Sequence, residues 1–155
     1  MTDTEDLAAK FEMLGVPDPA IWAKTQVNEG IDQLSRATVL RAMADVVIKS
    51  SSMPALFADA VWVTDEVRNA AKRIEDSGVS SADLALFVKT AVYHSLSDMM
   101  VLFDNCAEFE INPGQIQAGL FKLNDDFEPS SAIEGLHESW SQVAGAIVGK
   151  DVVKT

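Results

Sequence analysis

Apolar residues recur at helical intervals along most of the chain, and their spacing predicts about six helices. Leu7 and Phe11 lie four residues apart, as one helical face requires, and they predict a first helix over about 4–14. A second helix is predicted over about 19–34, where Gly30 weakens the pattern near the end. Helices joined by short breaks therefore account for the start of the chain.

A third helix and a sixth helix are each predicted from a single apolar stripe. Ser35 is placed to cap the third helix, and the sixth covers about 136–148. The third stripe consists of Val39, Met43, Val46 and Val47, and the sixth of Leu136, Trp140, Val143 and Ile147.

The most regular apolar face belongs to a predicted fourth helix that Gly78 ends. Trp62 falls off this face, on a polar side that it shares with Glu66 and Arg73. A tryptophan in such a place is either covered by a neighbouring segment or serves as an anchor in an interface, where this residue is enriched. The apolar face comprises Leu56, Ala60, Val63, Val67, Ala70, Ala71 and Ile74.

The fifth predicted helix, over about 82–103, is apolar around most of its circumference, and Ser80 is placed to cap it. A helix that is apolar on nearly every side is expected to be buried on nearly every side. We therefore predict that this helix is the central and most buried one.

The pattern changes after this helix, and turn residues interrupt it. Residues 116–123 fit either a short helix or a strand, and Gly114 and Gly119 count against the helix. A short β-hairpin near residues 116–133 is therefore included in the prediction. The fold class is mainly α: a single helical domain over 1–155, frayed at 1–3 and 149–155.

Composition indicates an ordinary folded protein. A chain of 155 residues with 48% apolar residues can bury a sizeable core without staples. Cys106 is the only cysteine, so no internal disulfide can form, which fits a reducing compartment. The acidic start does not resemble a secretory signal, and no stretch approaches the length of a membrane span. We expect a soluble cytoplasmic protein that does not enter a membrane.

Charge is distributed unevenly along this acidic chain. The whole chain carries 12 basic and 24 acidic residues, for a net charge of −12. Residues 90–149 hold nine of the carboxylates and a single base, Lys122, which leaves −8 in that part. Such a field favours a basic partner and repels nucleic acid. The sequence therefore predicts a basic protein partner and no binding to nucleic acid.

A metal site is the alternative that the histidines suggest. His94 and Asp98 are four residues apart on one predicted helix, so their side chains can converge on one ion. His137 and Glu138 would add ligands if their helix meets that one. The simpler interpretation is a hydrogen-bonded surface pair, because no second matched pair accompanies the first. The sequence predicts no metal and no other cofactor.

Catalytic motifs are not recognisable in the sequence. The acidic loop 104–110 departs from a calcium loop, because Cys106 stands where an oxygen ligand is needed and Phe109 stands where glycine is needed. That loop and the segment 124–126 are predicted to be solvated turns. No nucleophile elbow and no phosphate-binding loop is present, so enzymatic activity has no support.

These observations favour a small acidic cytoplasmic module that binds another protein, of the inhibitor, immunity or regulatory type. Two other classes stay open: the helical metal-binding protein described above, and a self-associating structural protein, such as a homodimer, that buries Trp62. Light scattering distinguishes self-association, and elemental analysis distinguishes the metal protein. The residues predicted to contact the partner are Trp62, Asp104, Glu108, Glu110, Asp125 and Asp126.

Overall fold

The computed structural model describes residues 3–52, 63–104, 107–110, 115–149 and 152, and the side chains of 107–110 and 115–118 are not described. The chain is mainly helical with short antiparallel strands, which confirms the predicted fold class. The helices are α1 (Asp3–Met13), α2 (Pro19–Glu29), α3 (Gln33–Ser50), α4 (Asp65–Asp76), α5 (Ser81–Asp104) and α6 (Leu136–Ile147).

Local chemistry sets the beginning of the third helix, and the prediction for its cap is wrong. Asp32 caps α3, because its Oδ1 accepts a hydrogen bond from the Ser35 N–H at 3.0 Å. The Ser35 hydroxyl donates to Oδ2 of the same carboxylate at 2.8 Å, so Ser35 lies inside the first turn. Gly30 ends α2 earlier than predicted, because it adopts the left-handed conformation with φ 69°. The predicted second helix was therefore too long.

The predicted cap of the long fifth helix is confirmed. The Ser80 hydroxyl oxygen accepts a hydrogen bond from the Asp83 N–H at 3.0 Å and donates to the Asp83 carboxylate at 2.6 Å. This reciprocal arrangement satisfies a backbone donor at the start of α5, as a capping box does.

The predicted fourth helix is only partly present. Val63 and Thr64 are not helical, and α4 begins after them, so an unbroken helix over 56–74 is wrong. Residues 53–62, and with them Trp62, lie outside the described residues. Trp62 was placed on a polar face by assuming one continuous helix through residues 63 and 64. Because these two residues are not helical, that assumption does not hold.

Four strands form two antiparallel hairpins between α5 and α6. The hairpin predicted near 116–133 is present in its second part, where Phe121 pairs with Ala132. A first hairpin begins at residue 107, so the prediction of a solvated turn over 104–110 is wrong. The strands are β1 (Ala107–Glu110), β2 (Gln115–Ala118), β3 (Phe121–Leu123) and β4 (Pro129–Ala132).

The core lies between α3, α5 and α6, with α1 and α2 packed beside α3. The prediction that the fifth helix is the most buried one is wrong: α5 buries only Tyr93 and Met100, and it leaves Phe87 71% exposed. The most buried helix is instead α3, whose buried face consists of Gln33, Ala37, Leu40, Ala44, Val47 and Ser50.

The contact between α5 and α6 is centred on one buried aromatic pair. The Trp140 ring stacks on the Tyr93 ring, with centroids 5.3 Å apart and planes 17° apart. The Trp140 Nε1–H donates to the Ser97 hydroxyl at 2.7 Å, so the polar atom of the indole is satisfied as well. This pair fixes α6 against α5 in one register.

In residues 3–52, 63–104 and 115–149, no helix combines the length and the apolar character that crossing a bilayer requires.

Candidate functional site

The second hairpin, formed by β3 and β4, ends in a tightly bonded acidic loop. The Asn124 side-chain oxygen accepts hydrogen bonds from the N–H groups of Asp126 at 3.0 Å and Glu128 at 2.9 Å. The Asn124 N–H donates to the Glu128 carbonyl at 2.9 Å, and the Phe127 N–H donates to the Asn124 carbonyl at 3.0 Å. Four hydrogen bonds to one asparagine thus fix the loop that carries Asp125, Asp126 and Glu128.

Phe127 occupies the most unusual position in this loop. Its φ is +62°, in the left-handed region. Hairpin loops of this kind consist of a β-turn followed by one left-handed residue, and that residue is usually glycine. For a residue with a side chain this conformation costs roughly 1–2 kcal/mol. The Phe127 side chain is 83% exposed, so burial does not offset that cost within the fold. We call the loop 124–128 the acidic tip.

The outer side of the hairpin extends this apolar exposure. Phe121 and Leu123 are two residues apart on β3, so the pleat places them on one side of the strand, and both are half-exposed. Lys122 lies between them and points the other way, towards the helices. An exposed apolar surface with a charged border is typical of an interaction site.

The base of the hairpin is fixed to the helical part of the protein. Leu120 and Ile133 pack against the core, and the Ile133 N–H donates to the Leu120 carbonyl at 2.9 Å. The Lys122 ammonium binds the Asp32 carboxylate at 2.8 Å, at the start of α3. Burial raises the pKa of Asp32, but the hydrogen bonds from Lys122 and Ser35 outweigh it and leave the pKa below its usual range. The hairpin is therefore held at its base and free at its tip.

A shallow cleft of about 400 Å³ lies between this hairpin and the start of α3. Its polar groups are already bonded to one another: Ser35 and Lys122 donate to Asp32, and Gln26 accepts from the Leu34 N–H. Polar groups that would orient a ligand are largely engaged, so the cleft is a weaker candidate than the acidic tip.

Asp104 has a different environment from the one that the sequence predicts. Asp104 was predicted to lie in a solvated turn and to contact the partner, but its side chain is only 5% exposed. Its Oδ2 accepts a hydrogen bond from the His137 N–H at 2.8 Å and lies 2.6 Å from the His137 Nδ1. The residue before α6 is Gly135, which has no side chain to cap the helix. A carboxylate at the end of α5 therefore caps α6.

This cap has a clear electrostatic signature. Burial raises the pKa of Asp104, but hydrogen bonds from the N–H groups of His137 and Leu136 and from the His137 ring outweigh it. The net result is a pKa below the usual range for an aspartate. The unpaired N–H groups at the amino end of a helix favour a nearby negative charge in general.

The residues of the alternative metal site do not come together. His137 contacts Asp104, whereas the His94 ring makes an edge-to-face contact with the ring of its neighbour Tyr93 on α5. Asp98 and Glu138 are not part of that contact. Among the residues that the structure describes, no three His, Cys, Asp or Glu side chains are grouped as a metal ion would need.

The other predicted contact residues are placed only in part. Glu108 and Glu110 lie on β1, opposite Gln117 and Gln115 of β2, and their side chains are not described. Asp125 and Asp126 are exposed in the acidic tip. Cys106, like Trp62, lies outside the described residues. Sequence reasoning missed Phe127, because a phenylalanine beside a turn carries no sign that its backbone is left-handed.

Comparisons with known proteins add no functional information. A scan against protein-family models, a search of curated proteins and a search of solved structures each gave no match to this chain. The proposed function therefore rests on the site and on the charge of the chain.

The strain at Phe127 gives a testable prediction for the folded protein. Changing Phe127→Gly should keep the free energy of unfolding or raise it by up to about 1 kcal/mol, because glycine adopts a positive φ without steric cost. Urea denaturation followed by circular dichroism measures the change. The matched control is Phe121→Gly, at an extended position of β3, which should lower the stability. A clear loss with Phe127→Gly would mean that the ring stabilises the fold.

Proposed function

We propose that this protein is an acidic cytoplasmic module that binds another protein through a basic surface of that partner, as inhibitors, immunity proteins and regulatory proteins do. The observation that carries the proposal is the acidic tip, where Asp125, Asp126 and Glu128 are exposed on a loop that Asn124 holds in one conformation. A loop fixed before binding loses little conformational freedom when the complex forms.

The charge of the chain supports a basic partner. The excess negative charge of residues 90–149 repels an acidic protein. It attracts a basic protein from a distance, which raises the rate of association. Glu108, Glu110 and Trp62 stay in the proposal as further contacts. Asp104 is left out of the contact set, because its carboxylate is engaged by α6.

Neutralising the acidic tip tests the proposal. The variant Asp125→Asn, Asp126→Asn, Glu128→Gln should capture less partner from a lysate of the source cells than the unmodified protein does. Exposed charges act mainly on association, so raised salt should reduce capture in the same way. The matched control makes the same change in net charge at three exposed glutamates outside the hairpin: Glu12→Gln, Glu29→Gln and Glu75→Gln.

The two variants differ in position and not in net charge. If the acidic tip is the contact surface, the tip variant should release the captured protein at lower salt than the control variant does. Equal release by both variants would mean that the acidic residues of the tip serve solubility and do not form the contact surface. A captured partner with an acidic surface would contradict the proposal outright, and capture of a second copy alone would favour self-association.

A further inference from the structure

We propose that Phe127 is the anchor of this interface, and that the partner carries an apolar pocket with lysine or arginine side chains around its rim. The inference rests on the proposed function, and it adds the chemistry of the partner's surface to it.

The Phe127 backbone has a left-handed conformation. The turn needs a residue with positive φ, and Phe127 meets that need at a steric cost that glycine would avoid. A side chain that strains the backbone and is 83% exposed gains little from burial within the fold. A contact with a partner would offset this cost, and strain of this kind is concentrated at binding sites.

The loop that carries Phe127 is held rigidly by Asn124. Asn124 bonds to the backbone on both sides of Phe127, through the N–H groups of Asp126 and Glu128. The ring is therefore presented on a fixed backbone and has only its own two side-chain torsions to lose on binding. Aromatic residues on rigid loops are typical of binding hot spots.

The charges around Phe127 indicate the charge of the surface that it contacts. Asp125 and Asp126 precede the ring and Glu128 follows it, so carboxylates border it on both sides. A pocket that takes up the ring brings its own rim against these carboxylates. Acidic groups on that rim would be repelled, whereas lysine or arginine would be attracted. The half-exposed Phe121 and Leu123 on the outer side of the hairpin would continue the apolar contact beside the pocket.

Position-specific photo-crosslinking tests the contact even though the partner is unidentified. Benzoylphenylalanine is introduced at position 127 in one sample and at position 87 in another, and each is irradiated in a lysate of the source cells. Phe87 is the matched control, because it is also a phenylalanine and is 71% exposed, on α5 outside the hairpin. We expect an adduct at 127 that does not form at 87, linked to an apolar residue bordered by lysine or arginine.

Affinity for the crosslinked protein, once it is purified, gives the second measurement. Phe127→Ala should raise Kd by about 30-fold or more, mainly through faster dissociation, whereas Phe87→Ala should change it by less than about threefold. Since both side chains are exposed, both variants should keep the circular dichroism spectrum and Tm of the unmodified chain. Phe127→Leu should recover part of the affinity if the pocket is apolar.

The outcomes separate this inference from the proposed function. If binding stays salt-dependent and needs the tip carboxylates but is unaffected by Phe127→Ala, the anchor is wrong and the acidic module remains. If equal adducts form at 127 and 87, or no adduct forms at 127, the anchor is wrong as well. If the captured protein lacks a basic surface, both proposals fail.

Discussion

Changing Trp140→Ala should lower the free energy of unfolding by about 3–5 kcal/mol, the usual loss for a large aromatic residue removed from a core. Trp140 is 2% exposed, stacks on Tyr93 and donates to Ser97, so the variant loses apolar burial, a ring contact and a hydrogen bond together. Urea denaturation followed by circular dichroism measures the loss. Because small domains are stable by roughly 5–15 kcal/mol, much of the total is at stake.

A conservative variant at the same position separates packing from hydrogen bonding. Trp140→Phe keeps a ring against Tyr93 and loses the bond to Ser97, so its cost should be well below that of the alanine variant. Ser97→Ala leaves the indole N–H without its acceptor and should cost about 1–2 kcal/mol. Similar stability for Trp140→Ala and the unmodified protein would mean that α6 does not depend on this contact.

Changing Asp104→Ala should cost about 2 kcal/mol at neutral pH, because it removes the charged acceptor that caps α6. The backbone N–H of His137 would then lack its partner at the amino end of the helix. The matched control is Asp98→Ala, the same change at an exposed residue of the same helix, which should stay within about 0.5 kcal/mol. Equal effects of the two variants would exclude the capping role.

The Asp104 cap also predicts a pH dependence with a definite sign. The pKa of Asp104 is lower in the folded protein than in the unfolded chain, so its contribution is complete above about pH 4 and is lost as the pH falls through the folded value. The stability difference between the unmodified protein and Asp104→Ala should therefore shrink in acid. A difference that stays constant down to about pH 2 would contradict the lowered pKa.

The helices could be predicted from the sequence because apolar spacing and caps are local properties. Ser80 with Asp83 is such a case: both the cap and the helix that it begins were predicted, since the pattern lies within four residues. The cap of α3 was predicted at Ser35, three residues after Asp32, which caps the helix in the structure. The structure shows why Asp32 takes the position: its carboxylate accepts from Ser35 and from the distant Lys122 at once.

The burial of the helices could not be predicted in the same way. The stripe predicted for α3 included Val46, which is half-exposed, whereas Ala37 and Ala44 are fully buried. Small residues allow a neighbouring helix to approach closely, but they contribute little to a hydrophobic pattern. For α5 the opposite holds, since an apolar circumference does not reveal which side is exposed, and Phe87 lies on an exposed side.

The site was partly predictable for a related reason. Asp125 and Asp126 stand out as charges, whereas the importance of Phe127 depends on a backbone angle that only the assembled hairpin defines. Asp104 looked like one more surface acid, because its partner His137 is distant in sequence. The first hairpin did leave a signal, since apolar and polar residues alternate over 107–110, as they do in a strand.

The Asp104 cap has a consequence for how this architecture can change. The last residue of α5 and the first turn of α6 are in direct contact, so the intervening segment leaves the helices and returns to the same point. A segment whose ends meet can be exchanged for another of different length at little cost in loop closure. The helices thus act as a scaffold and the hairpins as an insertion on it. The insertion can therefore be replaced without disturbing the helices, provided that the contacts of Leu120 and Ile133 with the core are retained.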